Sequence, residues 1–226
     1  MKDRLIVALD VDSLKKAKSL VDKLYPAVKI FKIGNQLFTK AGPEAVRMVR
    51  KKGAKVFLDL KFHDIPNTVA GAITEAKKMG AFITNLHASG GADMMKAASK
   101  ARGSSKSPTI LAVTVLTSFD KKALKGVGVN SSPKSQVKKL ALLAKSSGVD
   151  GVVCSAHEIK SIRKACGRSF VILTPAIRPA KTGMQDQKRI ATPQSAIKQG
   201  ADYIVIVRPI TQAKDPLQAA KSILGI

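Results

Sequence analysis

Short apolar segments rich in Val, Ile and Leu alternate along this chain with longer amphipathic segments. The apolar segments predict eight strands, at residues 5–10, 28–34, 55–60, 82–87, 109–117, 151–156, 170–175 and 203–209. The amphipathic segments predict a helix after each strand, at about residues 13–24, 43–52, 66–79, 91–102, 133–147, 157–165, 193–199 and 214–224. Several predicted helices end in a glycine that leads into the next strand, as in KKGAKV and KQGADY, which is typical of helix C-capping.

Eight such β-α units predict an α/β fold, a single-domain (β/α)8 TIM barrel that spans residues 1–226. The predicted strands are apolar on both faces, as expected for parallel strands covered by helices, and no change in composition marks a linker. A doubly wound open sheet is the alternative fold, because periodicity alone does not establish closure. In a barrel the active site lies at the C-terminal ends of the strands, so the polar residues there are the candidate site residues.

Polar residues stand at most of the predicted strand ends. They are Asp10, Lys32, Asp59 with Lys61, His87, Thr117, the turn from Pro175 to Arg178, and Arg208. Alternation along VFLDLK puts Asp59 and Lys61 on one face and the neighbouring leucines on the other. We therefore expect Asp59 and Lys61 to point together into the mouth of the barrel.

The combination of lysines and aspartates favours one kind of chemistry. Carboxylates within a few ångströms keep a lysine protonated, which disfavours a Schiff base because that needs a neutral amine. A protonated lysine can instead stabilise a developing carbanion and deliver a proton to it. A salt-bridge network that only closes the barrel is the alternative explanation for Asp59 and Lys61.

A second group of candidates follows the last two predicted strands, where barrels of this kind commonly bind phosphate. Arg178 follows TPAI, Arg208 follows YIVIV, and a long polar loop beginning RPAKTGMQDQKR lies between them. Arginine offers a bidentate fork to phosphate, and a loop of that length could close over a ligand. A basic surface loop with two solvated arginines is the alternative interpretation.

The net charge of +25 raises the question of a nucleic-acid partner, since 40 Lys and Arg face only 15 Asp and Glu. The basic residues are scattered as pairs and triples over many predicted helices, and aromatic residues are only 4% with no Trp. Stacking platforms for bases are therefore lacking. We expect a solvated basic surface and no specific nucleic-acid partner.

Other features limit the possible classes of protein. The apolar run before Asp10 is too short for a secretory signal and no segment could span a membrane, so we expect a cytoplasmic protein. Cys154 and Cys166 show no metal-ligand spacing, and we predict that both are reduced and structural. With three histidines in the chain, we expect no metal site, and supporting roles for His63 and His87.

The segment DLKFHDIPNTV, residues 59–69, closely resembles the signature of the orotidine 5'-phosphate decarboxylase family, in its short-chain bacterial group. The resemblance extends along the chain through ALD at 8–10, FKIGNQLF at 31–38, NLHASGG at 85–91, VTVLTS at 113–118, TPAIRP at 174–179, DQKRIATP at 186–193 and VRPIT at 207–211. It implies conversion of orotidine 5'-monophosphate to UMP and carbon dioxide in pyrimidine biosynthesis, without metal or organic cofactor. It also implies a homodimer with shared active sites.

The resemblance assigns roles to individual residues. The charged tetrad would be Lys32, Asp59, Lys61 and Asp64, with Lys61 protonating C6 of the pyrimidine and Asp64 reaching into the partner's site. The substrate-binding residues would be Asp10 with Lys32 at the ribose, Ile65 and Thr68 across the dimer interface, Thr117 and Ser118 near ribose and base, and Arg178, Gln187, Val207 and Arg208 around the phosphate.

Two positions depart from the family's usual pattern. Val207 and Ala176 stand where the family usually has glycine, next to the positions expected to bind phosphate. Each adds a side chain there, which could weaken substrate binding.

Two other functions fit part of the pattern. Metal-dependent sugar-phosphate decarboxylases and aldolases of the same superfamily share DxKxxD on the third strand, but their second strand carries a magnesium-binding glutamate where this chain has Lys32. A basic polyanion-binding protein that keeps the barrel as a scaffold would explain the net charge of +25. We expect the decarboxylase because a lysine at position 32 opposes a metal site.

Overall fold

The computed structural model describes residues 1, 3–175, 177 and 192–226. Within these ranges eight parallel strands form a closed barrel in sequence order. The strands are β1 (Leu5–Ala8), β2 (Ile30–Gly34), β3 (Lys55–Phe62), β4 (Ile83–His87), β5 (Thr109–Val113), β6 (Gly151–Val153), β7 (Val171–Thr174) and β8 (Tyr203–Ile206). The helices are α1 (Leu14–Leu24), α2 (Asn35–Ala41), α3 (Pro43–Lys51), α4 (Pro66–Lys78), α5 (Gly91–Arg102), α6 (Lys121–Gly126), α7 (Pro133–Ser146), α8 (Ile159–Cys166), α9 (Pro193–Gln199), α10 (Arg208–Thr211) and α11 (Pro216–Leu224), with a 3-10 turn at Ala88–Gly90.

The barrel closes because the first and last strands pair. β8 lies parallel to β1 with Leu5 opposite Ile204 and Val7 opposite Ile206. The predicted TIM barrel is therefore confirmed over the doubly wound open sheet, which would leave these two edges unpaired.

The strands bury side chains on both faces, as their sequence predicted. One face points into the barrel and packs as a small central core of Ile6, Ala8, Ile30, Phe57, Ile83, Leu111, Leu173 and Val205. The other face, which includes Val56 and Leu58, packs against the helices in the larger core. Since Phe57 points inward and its neighbours outward, the alternation predicted for β3 is confirmed up to that point.

The element boundaries differ from the prediction in two ways. Strands β1, β5 and β8 end earlier than predicted, so Asp10, Thr117 and Arg208 lie in the segments that follow the strands. Helices α2, α6 and α10 were not predicted, because each is short and buries a single side chain, so it leaves almost no periodic signal. α2 ends at Gly42, whose φ of 54° lies in the left-handed region that favours glycine.

A partly buried arginine in α8 links several segments at the N-terminal end of the barrel. The Arg163 guanidinium donates to the backbone oxygens of Phe170 at 2.7 Å and Gly200 at 2.6 Å, and to the Asp202 carboxylate at 2.8 Å. Asp202 also accepts the Ile172 N–H at 2.8 Å. One side chain thus joins the end of α8 to the residues that begin β7 and β8.

Both cysteines are buried and free. Burial raises the pKa of the Cys154 thiol and of the Cys166 thiol. Their placement agrees with the structural role predicted for them, because a protonated buried thiol is unreactive. None of the helices in the described ranges is both long and apolar enough to cross a membrane.

Candidate active site

A cavity of about 250 Å³ opens at the C-terminal ends of the strands. Its lining comprises Asp10, Lys32, Phe57, Asp59, Lys61, Asn85, Val113, Val115, Leu116, Thr117, Val153, Cys154, Leu173, Pro175, Val205 and Val207. The charged and amide side chains come from β2, β3, β4 and the segment after β1, whereas β5 to β8 and the segments after them supply mainly apolar ones. The cavity is therefore charged on one side and apolar on the other.

The charged side is a chain of four groups. Lys61 Nζ lies 2.7 Å from Asp59 Oδ1, and Lys32 Nζ lies 3.2 Å from Asp59 Oδ2. Lys32 Nζ also lies 2.9 Å from Asp10 Oδ1. The structure thus brings together Asp10, Lys32, Asp59 and Lys61, the grouping that the strand-end pattern predicted.

Asp59 is 7% exposed, and its environment keeps it ionised. Burial would raise its pKa, but the positive charges of Lys32 and Lys61 and hydrogen bonds from Lys61 and Asn85 outweigh burial and hold that pKa below the ordinary aspartate value. Asp59 therefore carries a negative charge across the physiological pH range, at the point where the two lysines converge.

The backbone at Lys61 is unusual. Among the described residues, Lys61 is the one non-glycine residue with a positive φ, at 53°. The pairing of β3 with β4 shifts register there, since Leu58 lies opposite Thr84 and Phe62 opposite Leu86. This bulge was not predicted, because the alternation of side chains assumes a regular strand. The bulge turns the end of β3 while keeping Lys61 beside Asp59.

Asn85 on β4 is the polar residue of the cavity that the sequence analysis missed. It is 1% exposed, its Oδ1 accepts the Lys61 backbone N–H at 2.8 Å, and its Nδ2 donates to Asp59 Oδ1 at 2.7 Å. The available signal was the alternation of ITNLH, which puts Asn85 on the same face as Ile83 and His87. An uncharged amide in an apolar strand did not stand out as a candidate.

His63 and His87 lie next to one another near Lys61, with ring centroids 5.3 Å apart. Burial, followed by the charges of His63 and Lys61, lowers the pKa of His87, which favours a neutral imidazole. Among the residues that the structure describes, no three His, Cys, Asp or Glu side chains cluster closely enough to hold a metal ion. Supporting roles for both histidines stay a prediction.

Asp64, Ile65 and Thr68 are exposed and do not line the cavity of their own chain. Ile65 is 67% exposed at the start of α4, which is high for a large apolar side chain. Asp64 Oδ1 accepts the Ile65 N–H at 2.7 Å. These residues form an outward-facing edge beside the cavity, where the resemblance predicted a dimer interface.

The predicted phosphate residues are only partly within the described ranges. Val207 lines the cavity, and Arg208 begins α10 with an exposed side chain. Val207 has a negative φ of −123°, so this position does not take the left-handed conformation that favours glycine. Thr117 lines the cavity and Ser118 beside it is exposed, while Ala176, Arg178 and Gln187 lie outside the described residues.

Comparison with known proteins adds a family to this geometry. The family model described as "Orotidine 5'-phosphate decarboxylase / HUMPS family" matches residues 3–223. The orotidine 5'-phosphate decarboxylases of Moorella thermoacetica and Trichlorobacter lovleyi are both 51% identical to this chain, over 98% and 99% of it and 91% and 94% of their own length. The crystal structure of orotidine 5'-phosphate decarboxylase from Lactobacillus acidophilus superposes with a TM-score of 0.87 at 38% identity, covering 99% of this chain and 98% of that one.

Proposed function

The chain belongs to the orotidine 5'-phosphate decarboxylase / HUMPS family, and from that premise we infer how its cavity works. The protein is an enzyme of pyrimidine biosynthesis that decarboxylates orotidine 5'-monophosphate to UMP and carbon dioxide. The observation that carries the proposed mechanism is the contact of 2.7 Å between Lys61 Nζ and Asp59 Oδ1 at the floor of the cavity.

We propose that Lys61 is the proton donor. The bond between C6 and the substrate carboxylate breaks and leaves its electron pair on C6, while carbon dioxide departs. The ammonium of Lys61 stabilises that charge and gives C6 a proton, and the neutral amine then regains a proton from solvent. The fixed position of the ammonium supports this role, because preorganised charge needs no rearrangement when the carbanion forms.

Asp59 and Lys32 hold Lys61 in place. Asp59 is bonded to both lysines and lies on the side of the cavity where the substrate carboxylate would sit. Its negative charge disfavours a second carboxylate nearby, and loss of carbon dioxide removes that repulsion. Asp10 and Lys32, which contact each other at 2.9 Å, are placed to bind the ribose hydroxyls.

The apolar side of the cavity suits the pyrimidine ring. Val153, Leu173 and Val205 face the charged cluster across the cavity and exclude water from one face of a planar base. The phosphate would extend towards Val207 and Arg208 at the end of β8, with Arg178 and Gln187 as further proposed contacts. Binding energy from the phosphate then holds the base against the charged cluster.

The proposal includes a homodimer in which Asp64, Ile65 and Thr68 serve the cavity of the second chain. Its support is the exposure of these residues beside the cavity, together with the large apolar side chain of Ile65. It also includes a cytoplasmic location, which rests on the biosynthetic role of the family.

The metal-dependent sugar-phosphate enzymes of the superfamily are disfavoured by one contact pattern. The ammonium of Lys32 lies between the carboxylates of Asp10 and Asp59, at 2.9 and 3.2 Å, and supplies the positive charge that a divalent cation would bring. A cation placed beside that ammonium would be repelled. The residues present therefore do not fit a magnesium site.

The test is the fall in absorbance as purified protein consumes orotidine 5'-monophosphate. We expect turnover that persists in EDTA and that Lys61→Ala abolishes without loss of the folded state. Lys55→Ala is the matched control, since Lys55 begins the same strand at the opposite end of the barrel, over the Phe82 ring. Turnover that is lost with chelator and restored by magnesium would instead support the sugar-phosphate alternative.

A further inference from the structure

The bulge in β3 leaves backbone groups without their regular ladder partners. Between the pairs Leu58–Thr84 and Phe62–Leu86, β3 advances by four residues and β4 by two. Regular parallel pairing is interrupted across this interval, and Lys61 there takes a left-handed φ of 53°. A lysine in that conformation persists only where its surroundings fix it.

Two side chains of β4 form hydrogen bonds with backbone groups of the interrupted part of β3. The Thr84 hydroxyl donates to the Leu58 backbone oxygen at 3.1 Å, and Asn85 Oδ1 accepts the Lys61 N–H at 2.8 Å. Both residues are buried, at 0% and 1% exposure, so these hydrogen bonds replace ladder bonds in a region that water does not reach. Thr84 acts only on backbone, whereas Asn85 also reaches the charged cluster.

The second contact of Asn85 fixes the orientation of its amide. Because Asn85 Oδ1 must accept from the Lys61 N–H, Asn85 Nδ2 faces Asp59 and donates to Asp59 Oδ1 at 2.7 Å. The same Asp59 oxygen accepts from Lys61 Nζ at 2.7 Å, which leaves Oδ2 for Lys32. One amide therefore holds both the backbone of Lys61 and the carboxylate that contacts its side chain.

We propose that Asn85 is a positioning residue for the decarboxylation: it holds Lys61 in its left-handed conformation and fixes the rotation of the Asp59 carboxylate, so that the ammonium stands where C6 will be protonated. This role rests on the proposed function of Lys61. Asparagine suits it because a single short side chain supplies both an acceptor and a donor. Aspartate lacks the donor, and alanine lacks both.

The charged groups around Asp59 define what each change should do. Lys61 faces it from β3 and Lys32 from β2, while Asp10 beyond β1 and His87 at the end of β4 lie further out. Asn85→Asp keeps an acceptor for the Lys61 N–H but sets a second carboxylate against Asp59. Asn85→Ala removes both hydrogen bonds and leaves Lys61 free to leave its conformation.

We expect Asn85→Ala to lower kcat on the order of 100-fold, because a displacement of about 1 Å at the reacting group has that effect. KM should change less than about threefold, since no contact of Asn85 goes to the ribose or phosphate side. Carbon-13 NMR of labelled aspartate should show the pKa of Asp59 rising in Asn85→Asp, because a like charge disfavours ionisation. The Asp59→Asn variant assigns the signal.

Thr84→Val is the matched control. It removes a buried hydrogen bond from the same bulge, but none from Lys61 or Asp59. We expect kcat and the Asp59 titration to stay close to wild type in this variant even where the melting temperature falls. A merely structural role for Asn85 would give the same pattern in Asn85→Ala as in Thr84→Val, and that result would overturn the proposal.

The remaining outcomes also decide the question. If Asn85→Ala does not fold, Asn85→Asp replaces it, and its kcat and Asp59 titration are compared with those of Thr84→Val. If neither Asn85→Ala nor Asn85→Asp folds, Asn85 serves folding and the positioning role is overturned. A wild-type protein without turnover on orotidine 5'-monophosphate would refute the proposed function instead. Normal turnover in wild type with unaffected Asn85 variants would refute only the positioning role.

Discussion

Mixing two inactive variants tests whether Asp64 acts in the cavity of a second chain. Asp59 is 7% exposed and bonded to Lys61 of its own chain, whereas Asp64 is exposed on the edge outside that cavity. If each cavity uses Asp59 from one chain and Asp64 from the other, Asp59→Ala and Asp64→Ala each inactivate every site of their own homodimer.

The expected recovery follows from counting sites. Random exchange of equal amounts of the two variants makes about half of all dimers mixed, for a dimer with two-fold symmetry. Each mixed dimer has one cavity that lacks both aspartates and one that has both. About a quarter of all cavities are therefore complete, and the mixture should reach about 25% of the wild-type rate.

The assay is the absorbance change of orotidine 5'-monophosphate, measured after the two variants have been mixed and subunit exchange has been confirmed by native mass spectrometry. The control mixture is Asp59→Ala with Lys61→Ala. These two residues contact each other in one chain, at 2.7 Å, so no mixed dimer contains a complete cavity. Shared sites would be refuted if the Asp59→Ala and Asp64→Ala mixture were no more active than this control.

Three further predictions concern stability. Lys32→Met leaves the Asp59 carboxylate without one of its buried partners and should lower the free energy of unfolding in urea by about 3 kcal/mol; an unchanged value would mean that the pair contributes nothing. Arg163→Lys cannot reproduce the guanidinium fork that bonds two backbone oxygens and Asp202. It should lower the free energy of unfolding by about 2 kcal/mol and leave kcat unchanged. A fall in kcat together with stability would contradict a purely structural role for Arg163. Because the pKa of Asp59 lies below its ordinary value of 3.8, the stability it contributes is present above that pH and lost as pH falls through the lower folded value. The difference in unfolding free energy between wild type and Asp59→Asn should therefore be constant from about pH 8 to 5 and shrink below about pH 4. If that difference had already disappeared at about pH 5, the pKa of Asp59 would be raised and not lowered.

Much of the fold could be predicted because its signals are local. The eight strands fall at the predicted places, since each is a short apolar run between amphipathic segments. The three short helices were missed because a helix that buries one residue, such as Leu37 in α2, has no periodicity to detect. The strand ends were placed too late at Asp10 and Thr117, since polar residues that follow a strand continue its alternation without pairing.

The candidate site was predicted in part for the same reason. Asp10, Lys32, Asp59 and Lys61 were identified by their positions at strand ends, and they meet in one cavity because the ends of parallel strands meet at one rim. Asn85 was missed because its importance depends on what it contacts in β3, and an amide in an apolar strand has no charge to draw attention to it.

The sequence by itself determined the alternation of strands with helices, the inward face of β3 and the charged residues at the strand ends, because these depend on residue type and spacing along the chain. Closure of the barrel rests on the pairing of β8 with β1, which periodicity alone does not establish. Only the tertiary structure decided the register shift beside Lys61, its φ of 53° and the amide that bonds both Lys61 and Asp59. It also left Asp64 exposed beside the cavity while Asp59, five residues earlier in the chain, is buried within it. The physical reason is that a bulge is set by the pairing of two strands, and no pattern within β3 alone records what β4 presents to it.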